Sequence, residues 1–159
     1  MKPTVYIETT IPSYLTAASS CNLIAHARQE ITRAWWQFRR NRFALVISQL
    51  VLEEAGRGNP EAAARRLKAL EPYPLLDASP SAFKLADEFI RPGAMPAKAK
   101  DDSLHLAICA VHAVQFLLTW NFRHIANAET RNVLREICTR KGYPFPTICT
   151  PDEMMKGTI

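Results

Sequence analysis

The sequence has few cysteines, and none of them stands in an arrangement that binds a metal or cycles between thiol and disulfide. There are four among 159 residues, no two form a CxxC pair, and none has the spacing of zinc ligands. One stands in an apolar helical stretch, where a free thiol packs as a small hydrophobic group. We expect all four to be reduced, which predicts a cytoplasmic location. They are Cys21, Cys109, Cys138 and Cys149.

Long apolar runs and targeting segments are also missing. The longest apolar candidate, residues 104–114, contains two histidines and is shorter than the ~18 residues that a membrane helix needs. The residues before Glu8 are too few for the apolar region of a signal peptide. We therefore expect no contact with a membrane.

Repeats, low-complexity tracts and linkers are absent too, so the sequence offers no internal domain boundary. A chain of 159 residues can bury a core without disulfides or a structural metal. A hydrophobic content of 48% argues against disorder. We expect one domain over residues 1–159.

Short apolar strands alternate with helical patterns along the chain. Strands are predicted at residues 4–7, 44–47, 75–76, 115–119 and 147–149, and helices at 9–15, 22–40, 48–54, 60–70, 80–90, 102–114 and 128–140, with a capping box at 150–153. This alternation predicts an α/β fold with a central parallel sheet of four to five short strands and helices on both faces. Such sheets bind ligands beyond the carboxyl ends of their strands.

The basic character of the chain is a weak indication of a polyanionic partner. The net charge is +5 and the pI is near 9.2, and nucleic acid is the usual partner of such a surface. Residues 35–42 (WWQFRRNR) interleave aromatic side chains with arginines, which also suits nucleic acid. We favour a core stripe with a solvated basic end, because the predicted apolar face of this helix comprises Ile24, Ala27, Ile31, Trp35 and Phe38.

Oxygen-bearing side chains cluster where the predicted sheet would bind a ligand. They follow strands or open the helices beside them: Glu8, Glu53, Glu54, Asp101, Asp102 and Asn121. Carboxylates gathered at one sheet edge repel one another unless a cation joins them. Oxygen ligands favour magnesium or manganese over zinc. We expect a single divalent-metal site that includes Glu8 and Asp102.

Each of these residues also has a purely structural interpretation. Glu8 could be solvated at a strand end, and the two helical glutamates could be solvated as well. Asp101 and Asp102 could cap the following helix, and both interpretations hold if Asp101 caps while Asp102 faces the site. Asn121 could be a turn residue or the cap of residues 122–126.

The histidines do not form a metal site of their own in this scheme. His105 and His112 are seven residues apart on one predicted helix, roughly 10 Å along its axis, which is too far to share an ion. His26 and His124 are isolated in the sequence.

Four motifs together resemble those of PIN domains in order, spacing and strand context. They extend over nearly the whole chain: residues 5–10 (VYIETT), 48–54 (SQLVLEE), 102–107 (DSLHLA) and 117–122 (LLTWNF). PIN domains are metal-dependent ribonucleases and include the VapC-type toxins of bacterial toxin–antitoxin pairs. The resemblance implies the same α/β fold and an acidic site that binds Mg²⁺ or Mn²⁺.

The resemblance also implies roles for individual residues. Glu8, Glu54 and Asp102 would bind the metal, and Asn121 would orient a water or the phosphate. Glu53 is the alternative to Glu54. Supporting roles fall to the neighbouring residues Thr10, Thr119, Glu53 and Asp101, and RNA backbone contacts to Arg57 and Arg123.

Two departures from the family pattern leave a second function open. Glu8 and Asn121 stand where the family usually has aspartate. The expected function is a metal-dependent endoribonuclease, the toxin of a type II toxin–antitoxin pair with RNA as substrate and a small antitoxin as partner; a homodimer is compatible with it. The alternative is a catalytically degenerate PIN fold that binds RNA or a protein without cleavage.

Overall fold

The computed structural model describes residues 1–155 and contains a five-stranded sheet. Its strands lie close to the predicted positions: β1 (Thr4–Ile7), β2 (Ala44–Ser48), β3 (Leu75–Leu76), β4 (Phe116–Leu118) and β5 (Thr147–Cys149). All neighbouring strands are parallel, and their order is β3-β2-β1-β4-β5. The predicted α/β class with a parallel sheet is confirmed.

Seven α-helices flank this sheet within the described part of the chain. They are α1 (Thr10–Thr16), α2 (Leu23–Phe38), α3 (Gln49–Ala55), α4 (Pro60–Leu70), α5 (Pro80–Ile90), α6 (Lys100–Val111) and α7 (Ala128–Arg140). Short 3-10 turns occur at Arg40–Arg42, Ala97–Ala99 and Asp152–Met154. No helix among residues 1–155 is long and apolar enough to cross a membrane.

The strand order places a switch point between β1 and β4. From β1 the chain moves outward through β2 to β3, and it then returns to the other side of β1 to form β4 and β5. Helix α1 contacts α2 and α4, α3 contacts α4, and α5 contacts α6 and α7. Because crossovers between parallel strands are right-handed, the reversal puts these two groups of helices on opposite faces. The crevice beyond the ends of β1 and β4 is where such sheets bind ligands.

The buried face of α2 differs from the predicted apolar stripe. Trp35 is buried as expected, but Ile24, Ala27 and Phe38 are exposed. Polar residues take their place: Gln29 donates to the Ala18 carbonyl at 2.9 Å and Thr32 accepts from the Trp120 indole at 2.8 Å, and both are buried. Hydrogen-bond partners elsewhere in the chain thus allow polar residues of α2 to be buried, which the hydrophobic periodicity alone does not predict.

The start of α6 also differs from the prediction, since neither acidic residue caps it. Its N-cap is Ala99, without a side-chain hydrogen bond, and both Asp101 and Asp102 lie in the first turn. The 3-10 turn Ala97–Ala99 leads directly into the helix, and such turns can satisfy the first backbone N–H groups in place of a capping side chain. The helix ends at Val111, three residues before the predicted end.

Candidate functional site

Glu8 follows β1 and is nearly inaccessible at the switch point. Its side chain is only 3% exposed. All three hydrogen bonds that reach it within residues 1–155 go to Oε2: from the Thr10 backbone N–H (3.1 Å), from the Thr10 hydroxyl and from the Thr119 hydroxyl (2.8 Å). Both threonines thus lie against Glu8, and its Oε1 is left without a hydrogen bond from these residues.

Glu54 reaches the same crevice from α3. Its Oε1 accepts hydrogen bonds from the Thr9 hydroxyl at 2.7 Å and from Nε2 of His105 at 2.5 Å. Glu53 is exposed. Of the two glutamates that the sequence left open, Glu54 is therefore the one that lies beside Glu8.

His105 lies in α6 and connects Glu54 to the interior of the sheet. It is 0% exposed, and its Nδ1 is 2.7 Å from the hydroxyl of Tyr6. That hydroxyl in turn is 2.7 Å from Oγ of Ser48, the N-cap of α3. A buried hydrogen-bonded chain thus joins β1, α3 and α6 and fixes the orientation of the Glu54 carboxylate.

Asp102 and Asn121 face each other across the crevice. The Asn121 side-chain amide donates to Oδ1 of Asp102 at 3.0 Å. Oδ1 of Asn121 accepts from the His124 backbone N–H at 3.1 Å, so the predicted turn role of Asn121 also applies. Asp101 is exposed and its carboxylate is 4.0 Å from Arg57, outside the crevice.

The three carboxylates share one pattern that suits a cation. Within residues 1–155, every hydrogen bond to Glu8 goes to Oε2, every one to Glu54 goes to Oε1, and the one to Asp102 goes to Oδ1. Each carboxylate is thus held by one oxygen while the other has no protein donor. Carboxylate oxygens are the ligands that Mg²⁺ and Mn²⁺ prefer.

Three side chains of the site lie especially close together, and one of them is a histidine. Ligand atoms of Glu8, Glu54 and His105 lie within 4.8 Å of one another, and Asp102 stands outside this group. Since Nε2 of His105 is bonded to Glu54 and Nδ1 to Tyr6, both ring nitrogens already have partners. The histidine therefore orients a ligand, as partners of metal-binding side chains commonly do.

The pKa shifts reflect the burial of the carboxylates and their contacts with His105 and neighbouring hydrogen-bond donors. Burial raises the pKa of Glu8, and it raises that of Asp102 against the opposing hydrogen bond from Asn121. Burial alone would raise the pKa of Glu54, but the hydrogen bond and charge of His105 lower it below its ordinary value. Burial opposes a charge on His105, yet its bond to Glu54 and the charge of Glu8 raise its pKa.

No protein-family model matches the chain, and no curated protein matches it either. A solved structure does: a chain in the crystal structure of VapBC2 from Rickettsia felis bound to a DNA fragment from their promoter. The TM-score is 0.51 at 15% sequence identity, over 92% of this chain and 98% of that chain. The fold is PIN-like. At this identity the likeness concerns the fold.

The PIN-like fold brings together Glu8, Glu54, Asp102 and Asn121, with Thr10 and Thr119 behind Glu8. The exposed Asp101 and Arg57 form an outer pair, and Arg123 is exposed in the turn after Asn121.

Sequence reasoning missed two residues of this site, His105 and Thr9. Thr9 directly follows Glu8, so only its position could have pointed to it. For His105 the signal was its spacing of three residues from Asp102, which places both on one side of α6.

Proposed function

We propose that this protein is a metal-dependent endoribonuclease of PIN type and the toxin of a type II toxin–antitoxin pair. The observation that carries the proposal is the pattern of free oxygens at the switch point. Three carboxylates from β1, α3 and α6 each keep one oxygen without a protein donor. A divalent ion would offset the charge of these carboxylates when they are deprotonated, and bound there it could serve phosphodiester hydrolysis.

Glu8, Glu54 and Asp102 would hold Mg²⁺ or Mn²⁺ through carboxylate oxygens. When bound, such an ion supplies a water of lowered pKa and neutralises charge on the phosphate. His105 keeps Glu54 in one orientation through its 2.5 Å hydrogen bond. Asn121 donates to Asp102, and its amide has a second hydrogen that could donate to a water or to a phosphate oxygen.

Exposed basic residues around the crevice would bind the RNA backbone. Arg57 and Arg123 are both exposed, and the chain as a whole carries a net charge of +5. The solved chain with the related fold belongs to a VapBC2 complex, which favours a small antitoxin as partner here as well. We place the protein in the cytoplasm, where its thiols would stay reduced.

Cleavage by the Asp102→Asn variant tests the mechanism. Purified protein is incubated with a total RNA pool, with Mn²⁺ and with excess EDTA. We expect Mn²⁺-dependent cleavage by the wild type and a loss of at least ~100-fold for Asp102→Asn, because a metal ligand loses its charge. Asp101→Asn, a change at the exposed neighbour, is the matched control and should cleave normally. Undiminished cleavage by Asp102→Asn or in EDTA contradicts the mechanism.

A degenerate fold that binds without cleavage is the second candidate, and one observation favours it. Where the family has a fourth carboxylate, Asn121 donates a hydrogen bond to Asp102 and brings no charge. Three negative charges would suit one tight divalent ion better than two. A wild type that binds RNA in the same assay but cleaves none with Mn²⁺ or Mg²⁺ would support this candidate.

A further inference from the structure

A stack of aromatic rings and one arginine lies directly beside the carboxylate crevice. The guanidinium carbon of Arg28 is 5.6 Å from the ring centre of Trp120 and 5.0 Å from that of Phe122. The two ring centres are 6.1 Å apart, and the Tyr14 ring packs edge-on against Trp120 at 6.2 Å. The hydroxyl of Tyr14 accepts a hydrogen bond from Arg28 at 3.3 Å.

This stack is fixed relative to the acidic residues. The Trp120 indole N–H donates to Thr32 at 2.8 Å, and its backbone N–H donates to the Thr10 hydroxyl at 2.9 Å. The same hydroxyl donates to Glu8. The Thr10 hydroxyl therefore connects Trp120 to Glu8, which fixes the position of the aromatic rings relative to the carboxylates.

Phe122 is the accessible part of the stack. It is 44% exposed, while Trp120 beneath it is buried. Its chain neighbour Asn121 is bonded to Asp102, so the exposed ring begins one residue away from the crevice. The open face of this ring remains in water and buries no apolar surface in the folded protein, while a cation lies against another part of the ring.

We propose that Phe122 and Arg28 form a stacking subsite for an unpaired base of single-stranded RNA next to the carboxylate site. The inference rests on the proposed ribonuclease function and names how that site would bind its substrate. A nucleotide offers both an aromatic face for Phe122 and a negative phosphate for the basic side chains beside it, Arg28 and Arg123. Stacking of this kind accepts any base, because each base has a π face.

The charge around the ring selects a nucleotide over an apolar protein segment. Phe122 is followed by the exposed Arg123 and is covered on one side by Arg28, so its surroundings are cationic. An apolar partner would have to desolvate these charges without compensation. A base with its phosphates compensates them.

The test measures binding of a short, fluorescently labelled single-stranded RNA by anisotropy in EDTA, where cleavage is prevented. Base stacking contributes ~1–3 kcal/mol, so Phe122→Ala should weaken binding by about 5- to 150-fold. Phe122→Trp should bind like the wild type. Phe122→Leu, which keeps apolar volume but lacks a π face, should bind as weakly as the alanine variant. The matched control is Phe83→Ala, because Phe83 is 49% exposed on α5 and should not matter.

A set of RNAs with one abasic position each gives the ligand side of the test. One abasic position should weaken binding to the wild type by the same factor as Phe122→Ala, and it should weaken binding to that variant no further. Equal RNA binding by wild type, Phe122→Ala and Phe122→Leu overturns the subsite. The subsite is also overturned if the variants lose binding to a protein partner but not to RNA. If these variants also retain Mn²⁺-dependent cleavage, the proposed function stands without the subsite. A wild type that neither binds nor cleaves RNA overturns both.

Discussion

At the scale of single residues, the site depends on how each carboxylate is held as much as on which carboxylates are present. Glu8 accepts from Thr10 and Thr119, Glu54 accepts from His105 and Thr9, and Asp102 accepts from Asn121. These donors use one oxygen of each acid and orient the other. Two of the donors, Thr9 and His105, were not predicted from the sequence to belong to the site, because their contact with Glu54 depends on the folded chain.

His105 should contribute to stability, because it is buried and hydrogen-bonded at both ring nitrogens. Its removal leaves the Tyr6 hydroxyl and the Glu54 carboxylate without a shared partner, and it opens a cavity in α6. We expect His105→Ala to lower the free energy of unfolding by ~2–4 kcal/mol. Denaturant unfolding in EDTA measures it.

His112→Ala is the matched control on the same helix. His112 is exposed and its ring bonds only to the Asp77 carbonyl among the described residues, so its loss should cost about 0.5 kcal/mol or less. Similar losses for the two variants would show that the buried chain from Ser48 to Glu54 does not stabilise the fold.

At the scale of elements, sequence patterns located the helices and strands well but not always their buried sides. Residues 60–70, 75–76, 80–90, 128–140 and 147–149 match the observed elements at both ends. Their boundaries are set by local chemistry, such as the proline at the first position of α4 and α5 and Gly142 in a left-handed conformation after α7.

The misassigned face of α2 shows where local pattern stops being informative. Gln29 and Thr32 are buried because Ala18 and Trp120 supply hydrogen-bond partners from other parts of the chain. Ile24 and Phe38, which fit the apolar period, lie in water. A periodicity argument weighs each residue alone, whereas burial of a polar group depends on a partner distant in sequence.

The first turn of α6 provides a prediction about Asp102, because it is not a capping residue there. Asp102→Ala loses the hydrogen bond from Asn121 but no capping bond, and removal of a half-buried carboxylate beside Glu54 relieves repulsion. Stability in EDTA should therefore be unchanged or raised. A tenfold excess of Mn²⁺ over its dissociation constant stabilises by ~1.4 kcal/mol, a Tm rise of roughly 3–6 °C for the wild type. The variant should lose most of this rise.

Thermal melts with EDTA and with Mn²⁺ measure both quantities. Asp101→Ala, in the same turn but exposed, should retain the full shift. An Asp102→Ala protein that is less stable in EDTA and still gains the full Mn²⁺ shift would remove Asp102 from the metal site.

At the scale of the whole molecule, the topology turns separate sequence motifs into one site. The strand order could not be read from the sequence, yet the rule that parallel sheets bind ligands at their carboxyl edge was enough to select Glu8 and Asn121. The rule does not give the distances between the side chains of the site. Asp102 stands outside the 4.8 Å group of Glu8, Glu54 and His105, and only the packing of α6 against the sheet determines that.

The pH dependence of overall stability follows from the charges that this topology gathers. Folding raises the pKa of Glu8 above its ordinary 4.5 and that of His105 above 6.5. A group whose pKa is raised binds its proton more tightly in the folded state, so its contribution is fully present at low pH and is lost as pH rises through the folded pKa. Glu54, with a lowered pKa, has the opposite sign, and its contribution is lost only as pH falls below its ordinary 4.5.

Measured from about pH 5 to 8, the metal-free protein should lose stability as pH rises. This range lies above the ordinary 4.5 of Glu8 and includes the ordinary 6.5 of His105, and both groups bind their protons more tightly in the folded state. Mn²⁺ should reverse this trend, since ligands must be deprotonated to bind it and its stabilisation grows with pH. Denaturant unfolding across this range, in EDTA and in Mn²⁺, measures both slopes. Glu8→Gln should flatten the slope in EDTA, whereas the exposed Glu53→Gln should leave it unchanged. Metal-free stability that increases steadily from pH 5 to 8 would contradict the raised pKa of the buried Glu8 carboxyl.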